Sequence, residues 1–342
     1  MKIVIAIDSF KGCLDSAGAA AAVSEGLAGH DCVVLPVSDG GEGFSAVLTA
    51  ALGGMIVGTQ VHDPLGRTVV ATYGLAGKVA VIESAAASGL TLMRPEELNP
   101  LKASSFGTGE LIADAIRRGA RDIYVGFGGT GTNDGGAGML EAMESVRDLW
   151  AECRFVALCD VTATFCGPQG ATAVYGPQKG VRPDQSALLD ARLRALAEQY
   201  RPVLGRDVLA QPGSGAAGGM AGALWAVAGA ELRPGADAVL DILHFEQHLE
   251  DASLVITGEG RIDGQTLQGK LPSVVARRAK AFSPSLRVVA LTGRNDLTHN
   301  VSSPFDGIMT INPPDIPDGL ALNPSYACER LTAVSQELLK NS

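Results

Sequence analysis

The sequence has few aromatic residues and no run of basic residues. Aromatic side chains make up 5% of the 342 residues, whereas 46% of the residues are hydrophobic, so the core must be mainly aliphatic. The formal net charge is −10. Nucleic acids and anionic membranes bind proteins through a basic face. We therefore expect neither of them as a partner.

Long apolar runs and paired cysteines are also missing from the sequence. No stretch reaches the roughly 18 apolar residues of a transmembrane helix. The opening "MKIVIAID" is followed at once by Ser9 and Lys11, which makes it too short for a signal peptide. The six cysteines form no C-x-x-C pair and no Cys/His cluster, so we expect reduced thiols and no zinc or iron–sulfur site. These features predict a cytoplasmic protein.

What the sequence contains is an alternation of Val- and Ile-rich runs with alanine-rich segments of helical period. This alternation predicts an α/β fold with a parallel sheet. Between 58 and 85, closely spaced strands with glycine turns predict a hairpin or meander. We predict strands at 2–8, 32–37, 122–127, 253–258 and 287–293, and helices at 16–29, 43–52, 107–119, 184–200 and 327–340.

The C-terminal part of the chain returns to the strand–helix pattern of its opening. We therefore predict a discontinuous α/β domain, formed by 1–58 with 251–342, and an inserted second α/β domain at 59–250. The chain is long enough for two ordinary cores.

Charged residues in glycine-rich loops follow the first two predicted strands. "AIDSFKG" places Asp8, Ser9 and Lys11 after the first strand, and "PVSDGGEGF" places Asp39 and Glu42 after the second. Open α/β sheets bind ligands at the carboxyl ends of their parallel strands. Carboxylates beside free backbone amides suit a magnesium–phosphate site. A helix cap or a glycine turn explains either motif equally well.

A third glycine-rich loop, "GFGGTGTNDGGAGM" at 126–139, contains the pattern G-x-G-x-x-G. A dinucleotide site would need a strand that ends in an acidic residue about 20 residues further on. The segment "ESVRDLWAECR" in that window shows no strand pattern, which argues against such a site and leaves a dinucleotide-dependent oxidoreductase as a disfavoured alternative. Asn133 and Asp134 instead suit magnesium coordination or activation of an alcohol. The turn "YGPQKG" adds Gln178 and Lys179.

The stretch "GEGRIDGQTLQGK" fits the P-loop pattern G-x-x-x-x-G-K at Gly264, Gly269 and Lys270. It follows a predicted strand, as a P-loop does. Leu271 stands where a P-loop carries Ser or Thr, so the hydroxyl that binds magnesium is missing. The pattern alone therefore does not establish a P-loop.

Along nearly the whole chain occur, in order, the motifs "DSFKG", "SDGGEG", "DPLGR", "GTGELI", "TNDGG", "YGPQKG", "GSGAAGG" and "VITGEGRIDGQT". As a set, these motifs resemble those of the bacterial glycerate kinase family. The resemblance implies a flavodoxin- or Rossmann-like domain interrupted by a second α/β domain, with the active site in the cleft between them. It also implies phosphorylation of D-glycerate, to 2-phosphoglycerate, by ATP with Mg²⁺. The P-loop match is then accidental.

In-line phosphoryl transfer needs charge neutralisation and alignment more than covalent chemistry. The resemblance thus implies carboxylates that orient or deprotonate the alcohol and hold magnesium, and lysines that neutralise phosphates. A guanidinium, that of Arg67, would bind the carboxylate of glycerate. The candidates are Asp134, Asp160, Lys11 and Lys270 for catalysis; Asp8, Ser9, Arg67, Asn133, Gln178 and Lys179 for substrate binding; and Asp39, Glu42, Glu259 and Asp263 for the metal.

The chain departs from the family pattern at three places. The segment between the "GAGM" helix and the "CDV" strand is short, and Thr130–Gly131 stand where Ser–Ala is usual. "CDVTATF" has Thr162 and Ala163 where the family carries an acid and an amide. A kinase of a related hydroxy acid and a ligand-binding protein without turnover therefore stay open as alternatives. The sequence also leaves open whether the chain forms a homodimer.

Overall fold

The computed structural model describes residues 1–38, 40–41, 43–297 and 302–340. These residues divide into two compact units, one within Met1–Asp39 and Ala236–Ser342 and the other within Gly40–Gly235. Each unit is built on its own sheet, so the predicted α/β class is confirmed. The predicted domain limits, at 58/59 and 250/251, stay a prediction, because compactness alone does not show which segments fold as one domain.

The strands of the described part of the chain run from β1 to β11. They are β1 (Lys2–Ile5), β2 (Asp31–Val34), β3 (Met55–His62), β4 (Thr68–Ala76), β5 (Val79–Glu83), β6 (Asp122–Gly126), β7 (Arg154–Leu158), β8 (Glu231–Arg233), β9 (Ala252–Ile262), β10 (Arg287–Asn295) and β11 (Gly307–Thr310).

The helices of the same residues run from α1 to α14. They are α1 (Ser16–Gly26), α2 (Phe44–Ala51), α3 (Ala85–Ser88), α4 (Phe106–Arg117), α5 (Ala137–Met143), α6 (Ala171–Tyr175), α7 (Pro183–Leu204), α8 (Met220–Val227), α9 (Gly235–Ile242), α10 (Phe245–His248), α11 (Gly264–Leu267), α12 (Leu271–Phe282), α13 (Asp318–Ala321) and α14 (Pro324–Lys340). Short 3₁₀ segments lie at Leu90–Leu92, Pro95–Glu97, Glu144–Glu152, Pro177–Lys179 and Ala216–Gly219.

The first unit contains a parallel five-stranded sheet in the order β11-β10-β9-β1-β2. Ile3 and Ile5 of β1 pack into a core with Val23 of α1 and Leu331 of α14. Val4, which points to the other face of the strand, is equally buried, and α12 packs against β9 and β10. A sheet buried on both faces explains why its strands read as continuous apolar runs.

The second unit contains a six-stranded sheet in the order β3-β4-β5-β6-β7-β8. The strands β3, β4 and β5 pair antiparallel, which confirms the predicted meander, and β5 to β8 pair parallel. α4 packs against β3, β4 and β5, and α2 packs against β4 and β5. The largest fully buried side chains of this unit include Tyr73, Phe165 and Leu111.

The predicted strands and helices are all present, with ends that differ by a few residues. β9 is longer than predicted and continues through the charged stretch to Ile262. Among the elements that we did not predict are β8, with three residues, and β11, with four. The segment of "ESVRDLWAECR" at Glu144–Glu152 is a 3₁₀ run and contains no strand.

Candidate active site

Four strand ends of the first sheet line one cavity. β11, β10, β9 and β1 are parallel neighbours, so their carboxyl ends lie along one edge of the sheet. The cavity at this edge has a volume of about 840 Å³. Five predicted site residues line it: Asp8, Ser9, Lys11, Glu259 and Lys270.

The chain that follows β1 brings Asp8 to this edge. The backbone N–H of Asp8 donates to the carbonyl of Gly258 at 2.9 Å, which continues the pairing with β9 beyond the strand. The Asp8 side chain is buried and its Oδ1 accepts from the backbone N–H of Ser9 at 2.7 Å. Lys11 is exposed and makes no ion pair with any residue that the structure describes. Its ammonium group is therefore available to an anion.

Lys270 lies between two carboxylates near the end of β9. Its Nζ is 3.7 Å from Glu259 Oε2 and 3.6 Å from Asp263 Oδ1. Glu259 Oε1 accepts from Thr266 Oγ1 at 2.5 Å. Asp263 caps α11 and accepts from the backbone N–H groups of Gln265 and Thr266 at 2.9 and 3.2 Å. Desolvation raises the pKa of Asp263, but these hydrogen bonds and the Lys270 charge outweigh it, so the pKa lies below its usual range.

This geometry differs from that of a P-loop. In a P-loop, the backbone N–H groups of the glycine-rich loop point at phosphate. Here Gly264–Leu267 form a short helix, and the N–H groups of Gln265 and Thr266 donate to Asp263 instead. The G-x-x-x-x-G-K match therefore forms no phosphate cradle.

Sequence reasoning missed the charged and amide side chains at the ends of β10 and β11. Asp296 accepts from Arg294 Nε at 2.7 Å and pairs with Arg261 Nε at 2.6 Å. The hydrogen bond from Arg294, followed by that from Arg261, lowers the pKa of Asp296. Asn295 and Asn312 line the same cavity. The pattern "LTGRND" at the end of a predicted strand carries the same signal as "AIDSFKG" and could have identified most of them.

In the second unit, hydrogen bonds hold the Asp134 carboxylate in one orientation. Ser105 donates to Asp134 Oδ2 through both its backbone N–H and its Oγ, each at 2.8 Å. The backbone N–H of Gly136 donates to Oδ1 at 3.1 Å, and that of Gly138 to Oδ2 at 3.3 Å. A fixed carboxylate of this kind suits the alignment of a substrate hydroxyl.

The neighbouring polar side chains of the same loop are buried. Asn133 Nδ2 donates to Thr172 Oγ1 at 2.9 Å. Asn133 Oδ1 and Thr132 Oγ1 are buried and have no hydrogen-bond partner among the residues in the described ranges. Buried polar atoms normally have partners, so this pair marks a place where a polar ligand group would be favourable.

Lys179, predicted in the turn "YGPQKG", is only 2% exposed. Its Nζ donates to the carbonyl of Thr132 at 2.8 Å and to Thr130 Oγ1 at 3.4 Å. Burial lowers the pKa of Lys179 to about 8, against a smaller opposite effect of the Asp134 charge. These contacts support the loop that carries Asp134. Gln178, next to Lys179, is exposed.

Asp160 and Arg67 also have protein partners. Asp160 is exposed after β7, and its Oδ1 accepts from the backbone N–H of Gly235 at 2.9 Å. The half-exposed Arg67 pairs with Asp63 and donates to Glu97 Oε1 at 3.1 Å. A bound carboxylate would share this guanidinium with two carboxylates of the protein.

The predicted metal-binding carboxylates fall into two groups. Asp39 and Glu42 lie outside the described residues. Glu259 and Asp263 face the same ammonium group, that of Lys270. Within the described ranges, no three His, Cys, Asp or Glu side chains form a group that could hold a metal. Mg²⁺ usually takes one or two carboxylates and completes its shell with phosphates and water, so Glu259 and Asp263 fit it in kind and number.

The fold and the site together define an α/β protein whose strand-end cavity suits a phosphorylated ligand. The profile of the Glycerate kinase family matches residues 3–146 and 142–338. The two matched segments meet near the short segment that follows the "GAGM" helix. This chain belongs to the glycerate kinase family.

Individual relatives agree with this assignment. The chain is 40% identical to a glycerate kinase of Haemophilus influenzae, over 86% of this chain and 87% of the relative. It is 39% identical to a glycerate 2-kinase of Escherichia coli, over 91% of each chain. A crystal structure from Salmonella typhimurium LT2, assigned to glycerate kinase 2, matches with a TM-score of 0.89 and 38% identity, over 100% of this chain and 98% of that one. No described helix is both long and apolar enough to cross a membrane.

Proposed function

We propose that this chain is an ATP-dependent kinase that phosphorylates D-glycerate to 2-phosphoglycerate in the cytoplasm. The observation that carries the proposal is the cavity at the strand ends of the first sheet, which combines Lys11 and Lys270 with the carboxylates Asp8 and Glu259. Phosphoryl transfer requires this mixture of charges, since cations neutralise the phosphates and carboxylates hold magnesium. Relatives named glycerate kinase, at about 40% identity, support the choice of substrate.

The lysines of this cavity and the two carboxylates beside Lys270 have separate parts in the mechanism. Lys11, which is exposed and without an ion pair to the described residues, would bind an outer phosphate of ATP. Lys270 would stabilise the negative charge that develops on the transferred phosphoryl group. Glu259 and Asp263 would hold magnesium, which neutralises phosphate charge when it is bound.

The residues of the second unit would act on glycerate. The hydroxyl oxygen of glycerate would form a bond to the γ-phosphorus of ATP. The bond between that phosphorus and the β,γ-bridging oxygen would break at the same time, and ADP would leave. Asp134, fixed by its hydrogen bonds to Ser105 and two backbone N–H groups, would align the hydroxyl. Asp160 is exposed and would accept the hydroxyl proton.

Recognition of glycerate would use the polar groups around these carboxylates. Arg67 would contact the substrate carboxylate at the edge of its pair with Asp63. Asn133, Gln178 and Ser9 would add hydrogen bonds. A related hydroxy acid is the second candidate substrate, because "CDVTATF" lacks the usual acid and amide at 162–163.

The experiment that tests the proposal measures ADP release with ATP, magnesium and D-glycerate, and identifies the product by ³¹P NMR. We expect turnover on D-glycerate and a 2-phosphate ester. Turnover only on another hydroxy acid would correct the substrate. ATP binding without turnover on any hydroxy acid would establish a ligand-binding protein.

A variant of Lys270 tests the residue assignment in the same assay. Lys270→Ala should lower kcat/KM about 10²-fold, as loss of a transition-state contact does. Lys78→Ala is the matched control, since Lys78 is an exposed lysine in the turn between β4 and β5. If Lys270→Ala stayed within a few fold of the control, Lys270 would have no role at the transferred phosphate.

A further inference from the structure

One wall of the strand-end cavity is apolar. It is formed by the segment 312–322, which follows β11 and which we call the proline wall. Pro313, Pro314, Ile316 and Leu322 of this segment line the cavity. Leu322 is 52% exposed, although a large apolar side chain beside a charged cavity gains from being covered.

The proline wall extends across the sheet edge. It begins at the end of β11, and at its other end Leu322 Cδ2 would lie 4.0 Å from a Cβ atom built on Gly12, in the loop after β1. β11 and β1 are three strand spacings apart in the sheet order, which is roughly 14 Å at about 4.8 Å per strand. The wall therefore faces the whole row of strand ends, from the amide side chains at β10 and β11 to the lysines beside β1 and β9.

This arrangement suits a ligand that is long, anionic at one end and flat and apolar at the other. Glycerate is too small and too polar to use an apolar wall or a volume of about 840 Å³, which is near the upper end for small-molecule pockets. A nucleoside triphosphate has the required shape and charge. Asn312 lines the β11 end, and its side-chain amide has both a donor and an acceptor that can pair with the polar edge of a base.

We propose that this cavity holds the whole nucleoside triphosphate, with its base against the proline wall at the β11 end and its phosphates toward Lys11 and Lys270. The inference rests on the proposed function in one respect, since the nucleotide is the phosphoryl donor of that reaction. Apolar contact of the base with Pro313, Pro314 and Ile316 provides affinity, and the Asn312 amide provides a hydrogen-bonding group for the polar edge of the base.

The test measures equilibrium binding without turnover, by calorimetry with ATP and with inorganic tripolyphosphate, each with magnesium. Ile316→Ser removes an apolar contact to the base and should weaken ATP binding about tenfold, because such a contact contributes on the order of 1–2 kcal/mol. It should leave tripolyphosphate binding unchanged, which also shows that the cavity is folded.

Three further variants complete the test. Lys11→Ala should weaken the binding of both ATP and tripolyphosphate. Pro314→Ser is a second variant at the β11 end of the wall, with a more exposed side chain than Ile316, and Val70→Ser, at an exposed apolar position of the second unit, is the matched control.

The outcomes separate this inference from the proposed function. If Ile316→Ser and Pro314→Ser bind ATP as the wild type does, or weaken the binding of ATP and tripolyphosphate equally, the base does not lie on the proline wall. If these variants also keep the wild-type KM for ATP in glycerate phosphorylation, the proposed kinase function is supported and the placement of the base on the proline wall is wrong. If the wild type phosphorylates no hydroxy acid but the wall variants weaken its ATP binding, the placement of the base on the wall is supported and the proposed kinase function is wrong.

Discussion

The burial of Lys179 makes the stability of this protein depend on pH in an unusual direction. Lys179 is 2% exposed, and burial lowers the pKa of its ammonium group to about 8 from the ordinary 10.5. In the unfolded chain the amine keeps its ordinary pKa. Between about pH 8 and pH 10.5, the unfolded state therefore binds more protons at this site than the folded state, and stability rises with pH.

The size of the effect follows from the two pKa values. A decrease from 10.5 to about 8 corresponds to about 3 kcal/mol of destabilisation when the group is charged in both states. This cost is fully present below about pH 8 and disappears above about pH 10.5. About 2 kcal/mol of it should be lost between pH 7 and pH 9.5. Asp134, the acidic group whose charge acts on Lys179, reduces the cost without removing it.

The assay compares the wild type with Lys179→Met by urea denaturation at several pH values. Other groups titrate equally in both proteins, so the difference in unfolding free energy isolates Lys179. The stability of the wild type relative to the variant should rise by about 2 kcal/mol from pH 7 to pH 9.5. Loss of the hydrogen bonds to Thr132 and Thr130 in the variant also changes the difference in unfolding free energy, but by an amount that does not depend on pH. A difference that does not change with pH would refute a buried lysine with a lowered pKa.

The other predictions concern the loop that carries Asp134. Ser105→Ala removes the Oγ hydrogen bond to Asp134 and should lower kcat about tenfold with little change in KM for glycerate, because a hydrogen bond to a charged group contributes about 1.5–3 kcal/mol. An unchanged kcat would show that this bond does not position Asp134. Gly218→Ala should destabilise the protein by about 1–3 kcal/mol more than Gly205→Ala in thermal or urea denaturation, as expected for overpacking. Both glycines have φ +68°, but only at Gly218 would the Cβ lie 2.2 Å from the carbonyl oxygen of Thr132. Equal losses would mean that the loop moves aside at little cost.

Much of the fold and part of the candidate site follow from local sequence patterns. The strands β1, β9 and β10 were predictable because buried parallel strands need continuous Val and Ile runs. Asp8, Ser9 and Lys11 were identified because they directly follow such a strand, and the structure does place them at one cavity with Glu259 and Lys270. The short strands β8 and β11 were missed, since three or four residues show no period.

The sequence by itself determined the α/β class, the family and the strand-end positions of the charged loops, because each of these depends on short patterns of residues that are adjacent in the chain. Only the tertiary structure decided the environment of each side chain. "YGPQKG" is typical of an exposed turn, yet Lys179 is buried because its partner Thr130 is brought to it from 49 residues away in the chain. Asp134 likewise takes its orientation from Ser105, 29 residues away. Packing between segments that are distant in the chain determines such partners, and a short stretch of sequence does not predict that packing.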